Sequence, residues 1–419
     1  MKEDQKMIKK MMKRTIAVTA ACAMTAGLLA GCGSTQTETT GNTTASGTES
    51  TTGSTTANTD GGKILFLSSL SSGAYYDYDV AFYEAICAEL GYSFQVVYGD
   101  SANDPDGNLS QIKNAYTDDV VGLITMMDGG IGAIMEEYPD LYVASLGSSM
   151  DTIYSDNATY PDLVNNDHWL GGINESGGDG EDYGKRMAQN VIDYGYKKVS
   201  VCIFPAYAYP AQTVAAETFQ AEIEAYNATA DEPIEIVGDT TVLAFSPLDE
   251  SFFMEEGKSD LDAIVGFCAG TTFIYPTLVT AKANGTCSAD TKLLTGGYDN
   301  EEDILADCGD ADQTIGLLSV SCPEYTLYPI ALIDNALNGN QYSDWAGAEI
   351  INPGTLTMHT TEEFQITKTD SPIWDADMSK LAVSLEDMKQ YFTRYNESAS
   401  YQAMVEMIQG ITIDSYLNK

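Results

Sequence analysis

The chain of 419 residues holds 62 acidic residues, eight cysteines and only two histidines. A histidine-based triad would have to run through His168 or His359. His168 stands beside Trp169, where a structural role is expected. No G-x-S-x-G, G-x-x-x-x-G-K-[ST] or H-E-x-x-H pattern occurs. The Asp/Asn-rich stretch at 100–112 fails as a calcium loop: with Gly107 as the turn glycine, position one is Ala102 and position twelve Lys113. No enzyme, metal or cofactor is therefore expected. What remains is a set suited to holding a molecule: Tyr75, Tyr76, Asp128, Ser148, Tyr207, Tyr209, Thr271, Asp299 and Ser321. Tyrosine faces can stack on a flat ligand, and hydroxyls and carboxylates can orient it. Asp299 leads this set. Each member also has a reading as a turn or cap residue, as have Asp77, Asp79 and Ser149. No Lys or Arg falls at these positions, which disfavours an acidic ligand and leaves neutral sugars, nucleosides or an amine.

These residues follow short apolar runs. Ile64–Leu70, Phe94–Tyr98, Val120–Met126 and Tyr142–Leu146 read as strands, separated by helix-period segments such as Ala81–Leu90 and Leu109–Tyr116. After the polar, Gly-rich stretch 168–181 the alternation restarts. Strands are expected at Lys198–Phe204, Ile234–Asp239, Ala263–Cys268, Lys292–Gly296 and Ile315–Ser321. Helices are expected at Asp182–Tyr194, Ala211–Tyr226, Phe273–Asn284 and Glu301–Asp307. A helix from Pro323, a strand at Glu349–Asn352 and helices at Leu385–Tyr395 and Tyr401–Gln409 follow. Continuous apolar strands alternating with helices imply parallel sheets covered on both faces. The expected fold is α/β, with two Rossmann-like lobes. Residues 62–168 plus 323–358 form one lobe; 169–322 plus part of 359–419 form the other. Ligands of such sheets sit beyond the carboxyl ends of the strands.

The first residues read as a targeting segment. Lys2, Lys6, Lys9, Lys10, Lys13 and Arg14 precede an apolar run, Thr15–Ala30, too short for a comfortable membrane span. Leu29-Ala30-Gly31-Cys32 resembles the lipobox of bacterial lipoproteins, which implies a signal peptide at 1–31 and a lipid on Cys32. Gly33–Asp60 is almost wholly Gly, Ser, Thr, Asn and Ala, so 32–61 reads as a tether. A coil of that length spans about 30 Å. The net charge of −42 repels nucleic acid. Export permits disulfides, and Cys287 and Cys308, both in loops before strands, are a candidate pair.

The segments K-I-L-F-L-S-S-L (63–70) with Tyr75-Tyr76, N-D-P-D-G-N-L-S-Q-I (103–112) and V-V-G-L-I-T-M (120–126) resemble the first lobe of type I periplasmic binding proteins, the ribose-binding and lactose-repressor-like family. L-V-N-N-D (163–167) and G-K-R-M-A-Q-N-V-I-D-Y-G-Y-K-K-V-S-V (184–201) resemble its first crossover and second lobe. G-G-Y-D-N (296–300) resembles its ligand-contacting turn, and P-E-Y-T-L-Y-P-I-A-L-I-D-N-A-L-N-G (323–339) the helix after the return crossover. The resemblance covers about 63–355; the insertion at 171–181 and the tail from Thr360 depart from it. It implies an extracytoplasmic, membrane-anchored, monomeric solute-binding protein that passes a small neutral solute, first of all a sugar, to an ABC-type permease. A nucleoside-binding lipoprotein of the same fold, or a ligand-sensing receptor for a membrane kinase, are its neighbours.

Overall fold

A computed structural model describes residues 61–99, 104–175, 177–297, 307–309 and 313–417. Cys32, the 1–31 leader and nearly all of the tether lie outside the described residues, and so does Asp299. The expected helix at 301–307 lies outside them too, except Asp307. Strands and helices alternate. The chain opens with β1 (Lys63–Ser68), α1 (Ala74–Leu90), β2 (Ser93–Tyr98), α2 (Pro105–Ala115), β3 (Val120–Thr125), α3 (Ile131–Glu137), β4 (Tyr142–Leu146) and β5 (Trp169–Ile173). Next come α4 (Gly180–Asp193), β6 (Lys198–Ile203), α5 (Pro210–Asn227), β7 (Glu235–Ile236), β8 (Thr241–Val242), β9 (Ala263–Gly266), α6 (Tyr275–Asn284), β10 (Lys292–Gly296) and β11 (Ile315–Ser321). The last stretch is α7 (Leu327–Leu337), β12 (Ile350–Ile351), β13 (Thr355–Met358), α8 (Thr361–Asp370) and α9 (Tyr401–Gly410).

Two sheets result, ordered β12-β5-β4-β3-β1-β2 and β13-β11-β10-β9-β6-β7, with β8 also on β6. All pairings are parallel except β11 with β13. The apolar runs are buried as the pattern requires: every residue of β11 is inaccessible, as is β1 from Ile64 onward. The helix α1 turns Tyr78, Phe82, Ile86 and Leu90 inward at helical spacing and stops at Gly91, whose φ of 81° suits a residue without a side chain. The start of α2 is set by Pro105 and by Asp104, which accepts the Gly107 N–H at 3.0 Å.

Five expectations need correction. Residues 169–173 belong to the first sheet, not the second lobe. Gly171 and Gly172 disguise this strand, since glycine is depleted in strands. Here it is required, because a Cβ on Gly172 would stand 1.7 Å from Ser145 Oγ. Conversely, Thr355–Met358 joins the second sheet, antiparallel to β11, although the sequence assigns 323–358 to the first. The strand at 234–239 shrinks to two residues, because the edge partner β8 takes over the far end of β6. The helix at 385–395 stops at Met388, passes through a 3₁₀ turn to Tyr391, and leaves Arg394 beyond it. Cys287 and Cys308 are not bridged: both are buried thiols, each occupied locally. Cys287 donates to the Ser288 carbonyl, and the Cys308 backbone bridges to Ile315.

Candidate ligand-binding cleft

The chain passes between the sheets three times, always at carboxyl ends of strands: after β5 into α4, after β11 into α7, and from β12 to β13. The carboxyl edges of both sheets therefore meet at one joint, the arrangement that creates a cleft between lobes. The joint is laced by hydrogen bonds. Asn174 Nδ2 donates to Asn352 Oδ1 at 3.2 Å, and Asn352 Nδ2 to Asp179 Oδ2 at 3.1 Å. The Cys322 N–H donates to the Gly354 carbonyl at 2.9 Å. The tail locks the outside of the joint. Ile408 accepts the Gly354 N–H with its carbonyl, and Glu324 is held by the Tyr416 hydroxyl at 2.9 Å and the Ala382 N–H at 2.6 Å. Glu324 is wholly buried, and burial raises its pKa against those bonds.

On the first lobe, Tyr75 reaches across: the Ser321 N–H, at the end of β11, donates to its phenol oxygen at 3.1 Å. Tyr75 and Ser321 are thus brought together. Tyr76 instead pairs its hydroxyl and ring with Tyr98, the last residue of β2, with ring centroids 6.0 Å apart. Asp128 holds the short helix 151–154, accepting the Thr152 N–H at 3.1 Å and the Thr152 hydroxyl. Partial burial raises its pKa against these bonds. Ser148 Oγ accepts the Met150 N–H at 3.3 Å. Asp128 and Ser148 are thereby engaged in the turns that follow their strands.

On the second lobe, Tyr207 and Tyr209 lie between β6 and α5, and are 82% and 48% exposed. Both rings approach Phe245, at 6.4 and 6.2 Å, above the buried Phe204. Thr271 is buried in the turn 270–273. Asn174 Oδ1, on the first crossover, is buried and has no partner among the described residues. Beside it, Glu175 keeps an accessible side chain in surroundings crowded enough to raise its pKa; burial raises the Tyr209 phenol, and the Glu175 charge adds to this. The sequence reading missed Phe245, Tyr98, Asn174 and Glu175. Tyr98 is the one with a visible signal, an aromatic residue at the end of an apolar run. A surface pocket of about 540 Å³ lies between the 247–250 loop and the first turns of α6, but no strand end lines it.

Two lobes of mostly parallel sheet, three crossovers and a joint at the carboxyl edges define the type I periplasmic binding protein fold, which this chain has. Solved structures of the same fold include three sugar binders. A periplasmic sugar-binding protein from Pseudomonas fluorescens matches with TM-score 0.54 and 14% identity, over 82% of this chain and 99% of its own. The periplasmic binding component of the arabinose ABC transporter from Shewanella sp. ANA-3, bound to α- and β-L-arabinofuranose, matches at 0.53 and 14%, over 74% and 95%. GanP, a glucose-galactose binding protein from Geobacillus stearothermophilus, matches at 0.51 and 13%, over 71% and 96%. No protein-family model matches the chain, and no curated protein sequence does. Among the described residues no helix is long and apolar enough to cross a membrane.

Proposed function

We propose that this protein is the extracytoplasmic solute-binding component of an ABC-type importer and takes a neutral sugar into the cleft between its lobes. The observation that carries the reading is the joint itself: two carboxyl sheet edges meet at three crossovers, with tyrosines beside the strand ends and no basic residue at any of them. The sugar-binding proteins of the same fold support it. In this reading the ligand is held by tyrosine faces and by acceptors, including Asp299, which follows β10 in the sequence. Closure of the lobes presents a joint surface to a permease. The lipobox-like Cys32 and the tether would hold a monomer at the membrane face. Thermal unfolding of the full chain against pentoses, hexoses, nucleosides and polyamines tests this. At a hundred times its Kd a true ligand stabilises by about 2.7 kcal/mol, a clear rise in midpoint. A rise with nucleosides or polyamines alone, or with nothing, would overturn the sugar reading.

A further inference from the structure

Two buried polar groups at the first crossover are left without partners. Asn174 follows the last residue of β5, and Tyr183 stands in the first turn of α4; they are 7% and 4% exposed. Asn174 Oδ1 has no hydrogen-bond partner among the described residues, and the Tyr183 hydroxyl proton has no acceptor among them. The Asn174 amide is not free to turn round. Asp179 caps α4, accepting the Asp182 N–H at 3.1 Å, and a carboxylate only accepts, so Asn352 must offer it Nδ2. Asn352 Oδ1 is then the atom that accepts from Asn174 Nδ2, which leaves Asn174 Oδ1 outside the network. This relay ties the first crossover to the one between β12 and β13, so the joint itself fixes which atom is left over. Tyr183 faces the second sheet: a Cβ on Gly296, the last residue of β10, would stand 2.4 Å from its hydroxyl oxygen. Burial raises the Tyr183 pKa, so the phenol keeps its proton and can donate it. The Gly177–Gly178 turn covers both groups. A Cβ on Gly177 would stand 3.4 Å from the Tyr183 ring, and one on Gly178 2.8 Å from Asn174 Cγ. Two successive glycines give this cover no side chain of its own to pin it.

An unpaired acceptor and an unpaired donor, both buried, are costly, and such groups persist where something else satisfies them. Taking the sugar reading above as its basis, we infer that Asn174 and Tyr183 set the specificity of the site: Asn174 Oδ1 accepts a hydroxyl proton of the bound sugar, and the Tyr183 hydroxyl donates to a sugar oxygen. A polyol suits this pair because each of its hydroxyls both donates and accepts. A carboxylate could satisfy only Tyr183, and an ammonium group only Asn174. The two groups also stand against different sheets, Asn174 at the end of β5 and Tyr183 at the end of β10, so a solute that meets both is held by both lobes. Asn352 is a positioning residue: it acts on the solute through the orientation it gives the Asn174 amide.

The test is calorimetric titration of the full chain with glucose, galactose and arabinose and with the monodeoxy analogues of each. For a sugar that binds, at least one monodeoxy analogue should bind about tenfold or more weakly than its parent, because a lost hydroxyl leaves a protein group unpaired. In Asn174→Ala or in Tyr183→Phe that ratio should fall to about one, with the parent itself weakened. Tyr183→Phe removes only a hydroxyl whose proton has no acceptor, so its unfolding midpoint should match or exceed that of the unaltered protein; it carries the test even where Asn174→Ala fails to fold. Asn352→Ala, which frees the amide to turn, should shrink the ratio without removing it; an unchanged ratio there overturns its positioning role. A ratio that survives in both Asn174→Ala and Tyr183→Phe, whatever the absolute affinities, overturns the inference and leaves the sugar reading intact, since the two groups then serve a buried water or the joint alone. Equal binding of every analogue and its parent by the unaltered protein overturns it in the same way. Binding of none of these sugars overturns the sugar reading itself, and the inference with it.

Discussion

Arg394→Ala should unfold this protein more readily than any loss of surface charge would. Asp334, on α7 of the first lobe, is wholly inaccessible, whereas Arg394 in the tail is about a quarter exposed. Arg394 Nε donates to Asp334 Oδ2 at 3.0 Å, its Nη2 pairs with Oδ1, and its Nη1 donates to the Leu90 carbonyl at 2.7 Å. Tyr92 closes the network, donating to Asp334 Oδ1 at 2.9 Å. Removing the guanidinium leaves a buried carboxylate with only neutral side-chain donors, Tyr92 and Asn338, among the described residues. Breaking a buried pair from one side costs about 3–5 kcal/mol, and partial exposure of the arginine places this case near about 3. At about 2.1 cal/mol/K per residue over a folded part of this length, that corresponds to a melting temperature lower by about 4 °C. The loss should depend on pH. Burial already raises the Asp334 pKa, and Arg394 is the principal group pulling it down. Without the arginine the folded pKa rises further above the unfolded value, so the penalty is largest near neutral pH and shrinks as pH falls toward about 4. Urea unfolding at pH 7 and pH 4.5 measures both effects. A loss below about 1 kcal/mol at pH 7, or an equal loss at both pH values, would refute the reasoning.

Two further outcomes follow from buried or engaged carboxylates. Asp128→Ala should cost about 1 kcal/mol through loss of the bonds that start helix 151–154, yet leave the affinity for whichever solute raises the unfolding midpoint within about twofold; a large affinity loss would make it a ligand contact after all. Asp79 is wholly buried against the Tyr325 hydroxyl at 3.2 Å, and burial raises its pKa well above the usual carboxylate range. Its contribution to stability is present below about pH 4 and lost as pH rises through the raised folded value. Asp79→Asn should therefore match or exceed the unaltered protein in urea midpoint at pH 8, with the gap closing by pH 4; a gap constant across pH would contradict this.

The parallel sheets were legible because their strands are continuous apolar runs, and a residue buried on both faces leaves few alternatives to Val, Ile and Leu. The strand β5 was hidden because its glycines answer to the neighbouring strand: Ser145 and the Glu349 carbonyl occupy the space where side chains would be. The strand-end rule located the joint but could not separate ligand-facing groups from turn-building ones. Asp128 and Ser148 fulfil the rule and yet are engaged by Thr152 and Met150. Phe245 follows no recognisable run, because its position depends on β8 pairing with the end of β6. The helix at Tyr401–Gln409 in the tail was read, but the way the tail docks was illegible for the same reason. Its anchors, Glu324 with Tyr416 and Asp334 with Arg394, join residues far apart in sequence.

Those anchors bear on the ligand. Both arginines of the described residues are committed to the frame: Arg394 to Asp334, and Arg186 to Asp182 at 3.0 Å and to the Thr355 hydroxyl at 2.9 Å. Lysines nearest the strand ends are likewise occupied. Lys258 is buried beside Glu255 and against the Phe252 ring, and Lys198 pairs with Asp260 at the opposite end of β6. Among the described residues, the cation nearest the joint, Arg186, is already held by Asp182, and a carboxylate or phosphate entering the cleft would face the field of a strongly acidic chain. A polyol both donates and accepts, and the buried groups at the strand ends offer both: Asn174 Oδ1 as an acceptor and the Tyr183 hydroxyl beside Gly296 as a donor. The scarcity of base in the sequence and the commitment of the described arginines to the frame thus both weigh against an acidic ligand.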